Sequence, residues 1–300
     1  WRSFFKIAFP MALPALITGI SLMCMEVMNE LGTFALLNIP SISTGIAENW
    51  IIEGNPKSAI GLSLIALLII FSLIIFEKFS RRKSKRWSEN PASKDSQGWE
   101  LKDTRAFLAI SISLFPPIFS FGIPCIWVLL NIDQIQKGFS IELLTLSSRT
   151  IALGLSTALL TMLFSLIISL ARRTNKSFLL AVITNLAGIG YAIPGTVLAL
   201  SLISISSFNF IAFNLLIWGY IVRFLTISKG SIDSSLERIS PSLDEAALGL
   251  GENSLGIIKR IHLPLLKGPI FVGSLLVFVD TIKELPITFI LRPFDFDTLS

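Results

Sequence analysis

AIGLSLIALLIIFSLIIFEKFSRRKSKRW, residues 59–87, decides the fold class. Its first part, Ala59 to Phe76, carries no charged side chain. At about 1.5 Å of rise per residue, a helix of that length covers most of the roughly 30 Å hydrocarbon core of a bilayer. Beyond Glu77 the pattern reverses into Lys78, Arg81, Arg82, Lys83, Lys85 and Arg86. Basic residues gather on the cytoplasmic side of membrane helices. An apolar run that stops at a basic cluster therefore reads as a membrane span whose C-terminal end faces the cytoplasm. A nucleic-acid reading of SRRKSKRW would have to explain why the cluster abuts a span.

The same signature recurs outward in both directions. Hydrophobic residues make up 52% of the 300-residue chain and charged residues only 15%, and the mean hydropathy is +0.74. A soluble chain carries about 45–50% apolar and about 25% charged residues, so a single water-soluble core is excluded. Apolar windows at Ala12–Leu37, Ala59–Phe76, Phe107–Leu130, Thr150–Ala171, Phe178–Ile203, Phe210–Ser228 and Leu265–Ile290 predict an all-α integral membrane protein, a polytopic helical bundle of seven spans. Pro116, Pro117, Pro124 and Pro194 sit inside these windows, where neighbouring helices can satisfy the freed backbone. Cys24 and Cys125 also fall inside spans, with neither disulfide nor metal spacing.

Orientation follows from the basic residues. With a cytoplasmic N-terminal tail, Arg2, Lys6, the cluster from Lys78 to Arg105, Arg172, Arg173, Lys176, Lys229, Arg238, Lys259, Arg260 and Lys267 all fall inside. Only Lys57, Lys137, Arg149 and Arg292 fall outside. The formal net charge of +5 is thus an orientation signal rather than a mark of nucleic-acid binding.

The first thirty-odd residues can be laid over the last forty without a gap. Ile7 and Pro10 fall on Ile261 and Pro264, Gly19 on Gly273, Glu26 on Asp280, Glu30 on Glu284 and Leu31 on Leu285. Duplication accounts for this register, and repeated halves are common in transporters. The expected organisation is residues 1–76 as the end of a first half with two spans, 77–105 as a polar cytoplasmic linker, and 106–300 as a second half with five spans. With six spans per half, four further helices are expected before Trp1 and one after Ser300.

Between the last two spans lies SPSLDEAALGLGENSLGIIKRIHLPLLKGP, Ser240 to Pro269. Ser240 can cap a helix, Pro241 suits its first position, Asp244 and Glu245 favour the positive end of its dipole, and Gly249 or Gly251 can end it. A short helix over about Pro241–Leu250, lying along the membrane surface, is predicted. Glu245, Ala246 and Ala247, then Gly251, then Ile261, Leu263 and Pro264 after nine intervening residues, reproduce the signature of the binding-protein-dependent ABC permeases. The chain resembles that family. The resemblance implies its permease fold with duplicated halves, and makes the loop within 229–264 the coupling element that docks on a cytoplasmic ATPase. Ile7 and Pro10 look like the tail of the first half's equivalent loop, with Phe9 where the signature prefers Leu.

YAIPGTVLAL (Tyr191–Leu200), IVRFL (Ile221–Leu225) and KELPITFILRPFDFDTLS (Lys283–Ser300) are similar to permeases of ferric iron importers. That resemblance implies a multi-pass protein of the bacterial inner membrane. It also implies a periplasmic substrate-binding protein that delivers Fe(III), and a dimer of a separate ATPase that carries ATP and Mg. Related permeases move thiamine, polyamines, sulfate or phosphonates, and a secondary transporter is the reading from outside the class. No G-x-x-x-x-G-K-[ST] loop occurs, so no nucleotide or other cofactor is expected on this chain and ATP hydrolysis is expected elsewhere. His262, the sole histidine, lacks further ligands at metal spacing, and no nucleophilic triad is recognisable.

Glu26 and Glu30, like Asp280 and Glu284, stand one helical turn apart and share a face. Each charge in lipid costs about 2.5–3.5 kcal/mol on insertion scales, so these faces are expected to point inward. They would either line a substrate path or form ion pairs with Lys283 and Arg223. No resident metal site is expected from them.

Overall fold

The computed structural model describes residues 2, 4–84, 101–133, 140–175, 177–205, 212–294 and 296–299. Most of the expected linker, 85–100, lies outside the described residues, as do Lys137, Lys176 and the start of the sixth expected span at Phe210. Every element among the described residues is helical. In chain order, a π-helical turn at Phe4–Ala8 leads into α1 (Phe9–Asn29), α2 (Gly32–Leu36), α3 (Ile42–Ala47) and α4 (Pro56–Ser84). Then come α5 (Asp103–Pro117), α6 (Ile123–Leu130), α7 (Ile141–Thr174), α8 (Phe178–Ala187), α9 (Gly195–Ile205) and α10 (Ala212–Leu236). The loop holds α11 (Pro241–Gly249), α12 (Ser254–Ile257) and a further π turn, Ile258–His262, before α13 (Leu263–Leu265), α14 (Lys267–Ile282) and α15 (Pro286–Leu291).

Four helical stretches among the described residues are long and apolar enough to cross a membrane: Pro56–Phe76, Asp103–Leu130, Ile141–Thr174 and Phe213–Leu236. A fifth is added if Ser254–Leu265 and Lys267–Ile282, bent by 69° at Leu266, count as one span. Large apolar side chains such as Leu68, Leu159, Leu163 and Phe271 remain exposed on these helices, as expected of a multi-pass protein whose outer surface meets lipid.

Three of the expected spans are interrupted. Ala12–Leu37 breaks where Glu30 turns extended (ψ 123°), because its carboxylate accepts the Thr33 N–H at 2.8 Å and starts α2. Phe178–Ile203 breaks between Gly188 and Pro194, through a short 3₁₀ turn at Gly190–Ala192. Leu265–Ile290 breaks before Pro286, which has no N–H to continue the ladder. The first and last of these breaks fall at equivalent places of the repeat, and so do two of the π turns: the offset that carries Ile7 onto Ile261 carries Phe4–Ala8 onto Ile258–His262.

The described chain divides into two compact units, Trp1–Lys83 with Ser147–Ser300, and Ser84–Leu146. In the second, Pro116 and Pro117 end α5 in a π turn (Ile118–Gly122), and no residue of α5 or α6 is buried. The first unit holds the core. Leu153 and Ala158 of α7, Leu198 and Ala199 of α9, Leu216, Tyr220 and Phe224 of α10, Val277 of α14 and Ile287 and Leu291 of α15 pack together. Small residues bring helices close: a Cβ on Gly154 would lie 2.9 Å from the Phe278 ring, and one on Gly273 would lie 2.7 Å from Met162 Cε. Thr157, Thr161, Ser165 and Ser169 continue that buried stripe along α7, as small and hydroxylic residues do where membrane helices touch.

Candidate functional site

The three helix breaks meet inside the first unit, and the charged residues cluster where they meet. Asn29, at the end of α1, accepts the Gly195 N–H at 2.6 Å and so caps the start of α9. Gly195 has no room for a side chain, since a Cβ there would lie 2.6 Å from Glu284 Oε1. Arg223 projects from α10 into the same break and donates to the Ile193 carbonyl at 3.0 Å. Its Nε lies 3.4 Å from Glu284 Oε2, and its guanidinium stands 5.6 Å from the Tyr191 ring centroid. Arg223 is 2% exposed and Glu284 5%. Each of these two deeply buried groups is the other's partner, and removing either strands the one that remains.

A second charge group is wetter. Lys283 Nζ lies 3.3 Å from Glu26 Oε1 and 3.0 Å from Asp280 Oδ1, so one ammonium joins acids from both copies of the repeat. Tyr191 donates its hydroxyl to Glu26 Oε2 at 3.0 Å. The Lys283 and Glu26 side chains are 56% and 44% exposed. A cavity of about 240 Å³ opens here, lined by Glu26, Asn29 and Glu30 from the first copy and Lys283, Glu284 and Leu285 from the second. Beyond it, an apolar cavity of about 430 Å³ is bordered by Leu31, Phe34, Ile39, Leu285 and Phe289. Among the described residues no three His, Cys, Asp or Glu side chains come together to hold a metal ion.

The loop forms the second candidate region. Ser240 accepts the Ser242 N–H and Pro241 opens α11. Gly251 follows at φ +86°, a left-handed conformation that disfavours any residue with a Cβ. Asn253 then caps α12 through the Gly256 N–H at 2.7 Å. Glu245 and Ala246 are exposed, Ala247 is buried, Ile261 and Leu263 are half-buried, and Pro264 is exposed beyond the π turn. Leu243, Leu248, Leu250 and Leu255 add apolar surface open to solvent. Beneath them, Asp244 Oδ2 accepts Arg173 Nε at 2.8 Å, while His262 Nε2 lies 2.9 Å from Asp244 Oδ1. Burial works to raise the Asp244 carboxyl, but the hydrogen bonds from Arg173 and His262 outweigh it and hold the group below the usual carboxylate range.

The chain is 27% identical over 303 aligned residues to "Fe(3+)-transport system permease protein FbpB 2" of Haemophilus influenzae, and the alignment covers 97% of this chain. That similarity bears out the resemblance read from the sequence. The chain spans about 59% of the length of this curated relative. No family model matches.

The structure thus brings Glu26, Glu30, Asp280, Lys283 and Glu284 into one neighbourhood and gathers Glu245, Ala246, Ala247, Gly251, Ile261, Leu263 and Pro264 along one loop. Sequence reasoning passed over Asn29, Tyr191 and Arg173 as site residues. Asn29 gave a signal as a polar residue next to Glu30 within an apolar span, and Tyr191 as a phenol beside the Gly and Pro of a helix break.

Proposed function

We propose that this chain is the membrane permease part of an ATP-driven importer and that its cargo is ferric iron. The similarity along 97% of the chain to a permease named for Fe(3+) transport carries the reading, and the loop at Glu245–Pro264 supports it. The permease has the binding-protein-dependent ABC fold with duplicated halves and seven spans in this stretch: two in 1–76 and five in 106–300, joined by a cytoplasmic linker at 77–105. It lies in the bacterial inner membrane, receives cargo from a periplasmic binding protein, and is driven by a dimer of a separate ATPase that holds ATP and Mg.

The chemistry of the charged cavity suits that cargo as substrate. Carboxylate and phenol oxygens are hard donors for a hard, highly charged ion. Conduction needs contacts weak enough to release, and a Lys283 ammonium standing between Glu26 and Asp280 prevents them from closing into a tight cage. The exposed face of α11, with Glu245, Ala246 and the turn at Gly251, is the docking element for the ATPase.

Reconstitution of the full-length permease with its ATPase and candidate binding proteins in liposomes tests the reading. Ferric-loaded binding protein should stimulate ATP-dependent uptake. Stimulation by a binding protein loaded with thiamine, polyamine, sulfate or phosphonate would move the cargo, and uptake driven by an ion gradient without ATPase would replace the importer by a secondary transporter. Replacing Glu245 by Lys and Gly251 by Val should abolish uptake while insertion persists, and full transport by that double variant would remove the coupling role. For the topology, a cysteine at Ser93 should be labelled only from the cytoplasmic side and one at Asn55 only from outside.

A further inference from the structure

We infer that Asp244 is a positioning residue that keys the loop helix α11 to the ends of three membrane helices, so that a push on the loop moves them together. The inference rests on the importer reading. Arg173, in the last turn of α7, donates Nε to Asp244 at 2.8 Å, Nη1 to the Leu236 carbonyl at 2.7 Å and Nη2 to the Ile239 carbonyl at 3.1 Å. One guanidinium therefore ties α7 and the open C-terminal end of α10 to α11. The planar fork makes these bonds in a fixed geometry, which a lysine could not reproduce.

The other Asp244 oxygen faces His262, the last residue of the π turn that leads into α13 and α14. A charged carboxylate only accepts, so Nε2 carries the proton in this contact. His262 is 2% exposed, and its Nδ1 is buried with no hydrogen-bond partner. A histidine held there for packing alone would leave both ring nitrogens costly, whereas the Asp244 contact satisfies the one that reaches α11.

α11 is thereby divided into two faces. Asp244 and Ala247, three residues apart, turn inward, and Glu245, Leu243 and Leu248 turn outward. The outward face is free to receive the ATPase while the inward face is bound to α7, α10 and the root of α14. The equivalent of His262 in the first copy of the repeat is Ala8, so this contact belongs to the second copy alone.

The test uses the full-length permease with its ATPase and binding protein in liposomes, read as uptake per ATP hydrolysed by the assembled complex, together with trypsin cleavage after Arg238, Lys259 and Arg260. Asp244→Asn and Arg173→Lys should lower the ratio at least tenfold with hydrolysis retained, and should speed cleavage several-fold. His262→Leu should do the same, while His262→Gln, which keeps a donor toward Asp244, should restore most of the ratio. If Asp244→Asn does not assemble, the His262 pair decides. A ratio equal to that of the unaltered protein in the assembled variants overturns the inference, as does a fall in uptake and hydrolysis in equal proportion. Absence of ATP-dependent uptake in the unaltered complex would instead defeat the importer reading, and unchanged cleavage would still count against the clamp.

Discussion

The segments Phe4–Leu36 and Ile258–Leu291 share a frame and differ in chemistry. Both open on a π turn, continue as an apolar helix and break at an acid, Glu30 in one and Glu284 in the other. Within that frame, Glu30 is half-buried and caps α2 through Thr33, while Glu284 is buried against Arg223. Asn29 spends its oxygen on the Gly195 N–H, and its counterpart Lys283 reaches acids of both copies. The two segments share a backbone pattern and differ in what their side chains do. A break in an apolar helix needs some polar group to satisfy its freed backbone, and either a neutral amide or a charge can serve.

The sharpest way to break this comparison is to neutralise the two equivalent acids. Glu284→Gln leaves the Arg223 guanidinium buried without a counter-charge, and losing one partner of such a pair costs about 3–5 kcal/mol. Glu30→Gln keeps an acceptor at a partly exposed helix start and should cost less than about 1 kcal/mol. Thermal unfolding and yield of the full-length protein in detergent measure both. Equal losses would mean that the two acids do the same job. Replacing Arg223 by Met together with Glu284→Gln should recover part of the loss, since no charge is then stranded.

Asn29→Ala should come next in size. It leaves the buried Gly195 N–H without its acceptor at 2.6 Å, an omission worth about 1–3 kcal/mol. Asn29→Asp keeps the acceptor and should recover much of the hydrogen bond, although it adds charge beside Glu26 and Glu30. The same melting experiment separates the two, and an Asn29→Ala variant as stable as the parent would show that the break at Pro194 holds itself.

Hydropathy made the long spans legible because their length and lack of charge are local properties. Pro56–Phe76, Asp103–Leu130, Ile141–Thr174 and Phe213–Leu236 match the second, third, fourth and sixth expected spans. The breaks were less legible, because a window that sums apolarity passes over Glu30 or the Gly188–Pro194 stretch without registering it, and the groups that stabilise such breaks come from far along the chain. Gly195 depends on Asn29, 166 residues earlier. An inward direction for the four acids was expected from their cost in lipid, with Arg223 and Lys283 both in view as partners, but only the fold assigns Arg223 to Glu284 and Lys283 to Glu26 and Asp280. Asp244 read as a residue favoured by the helix dipole, and its bond to Arg173, 71 residues upstream, lay beyond any local pattern.

Lys283 carries the smallest expected effect on stability and the most informative one on transport. Its ammonium is more than half exposed, and ion pairs at such sites contribute about 0–1 kcal/mol, so Lys283→Gln should melt within a degree or two of the parent. The two acids it joins come from the two segments of the repeat, and Glu26 and Lys283 themselves line a charged cavity. Without the ammonium, Glu26 and Asp280 present an uncompensated pair of carboxylates to a cationic cargo, which attracts it more strongly and releases it more slowly. Uptake per assembled complex should then show a lower KM together with a lower maximal rate. Glu26→Gln and Asp280→Asn, which remove the attraction, should raise KM instead. Should all three variants lose assembly while the assembled fraction transports as the parent does, the group would be structural like Arg223 and Glu284, and the difference between the two charge clusters would be one of burial alone.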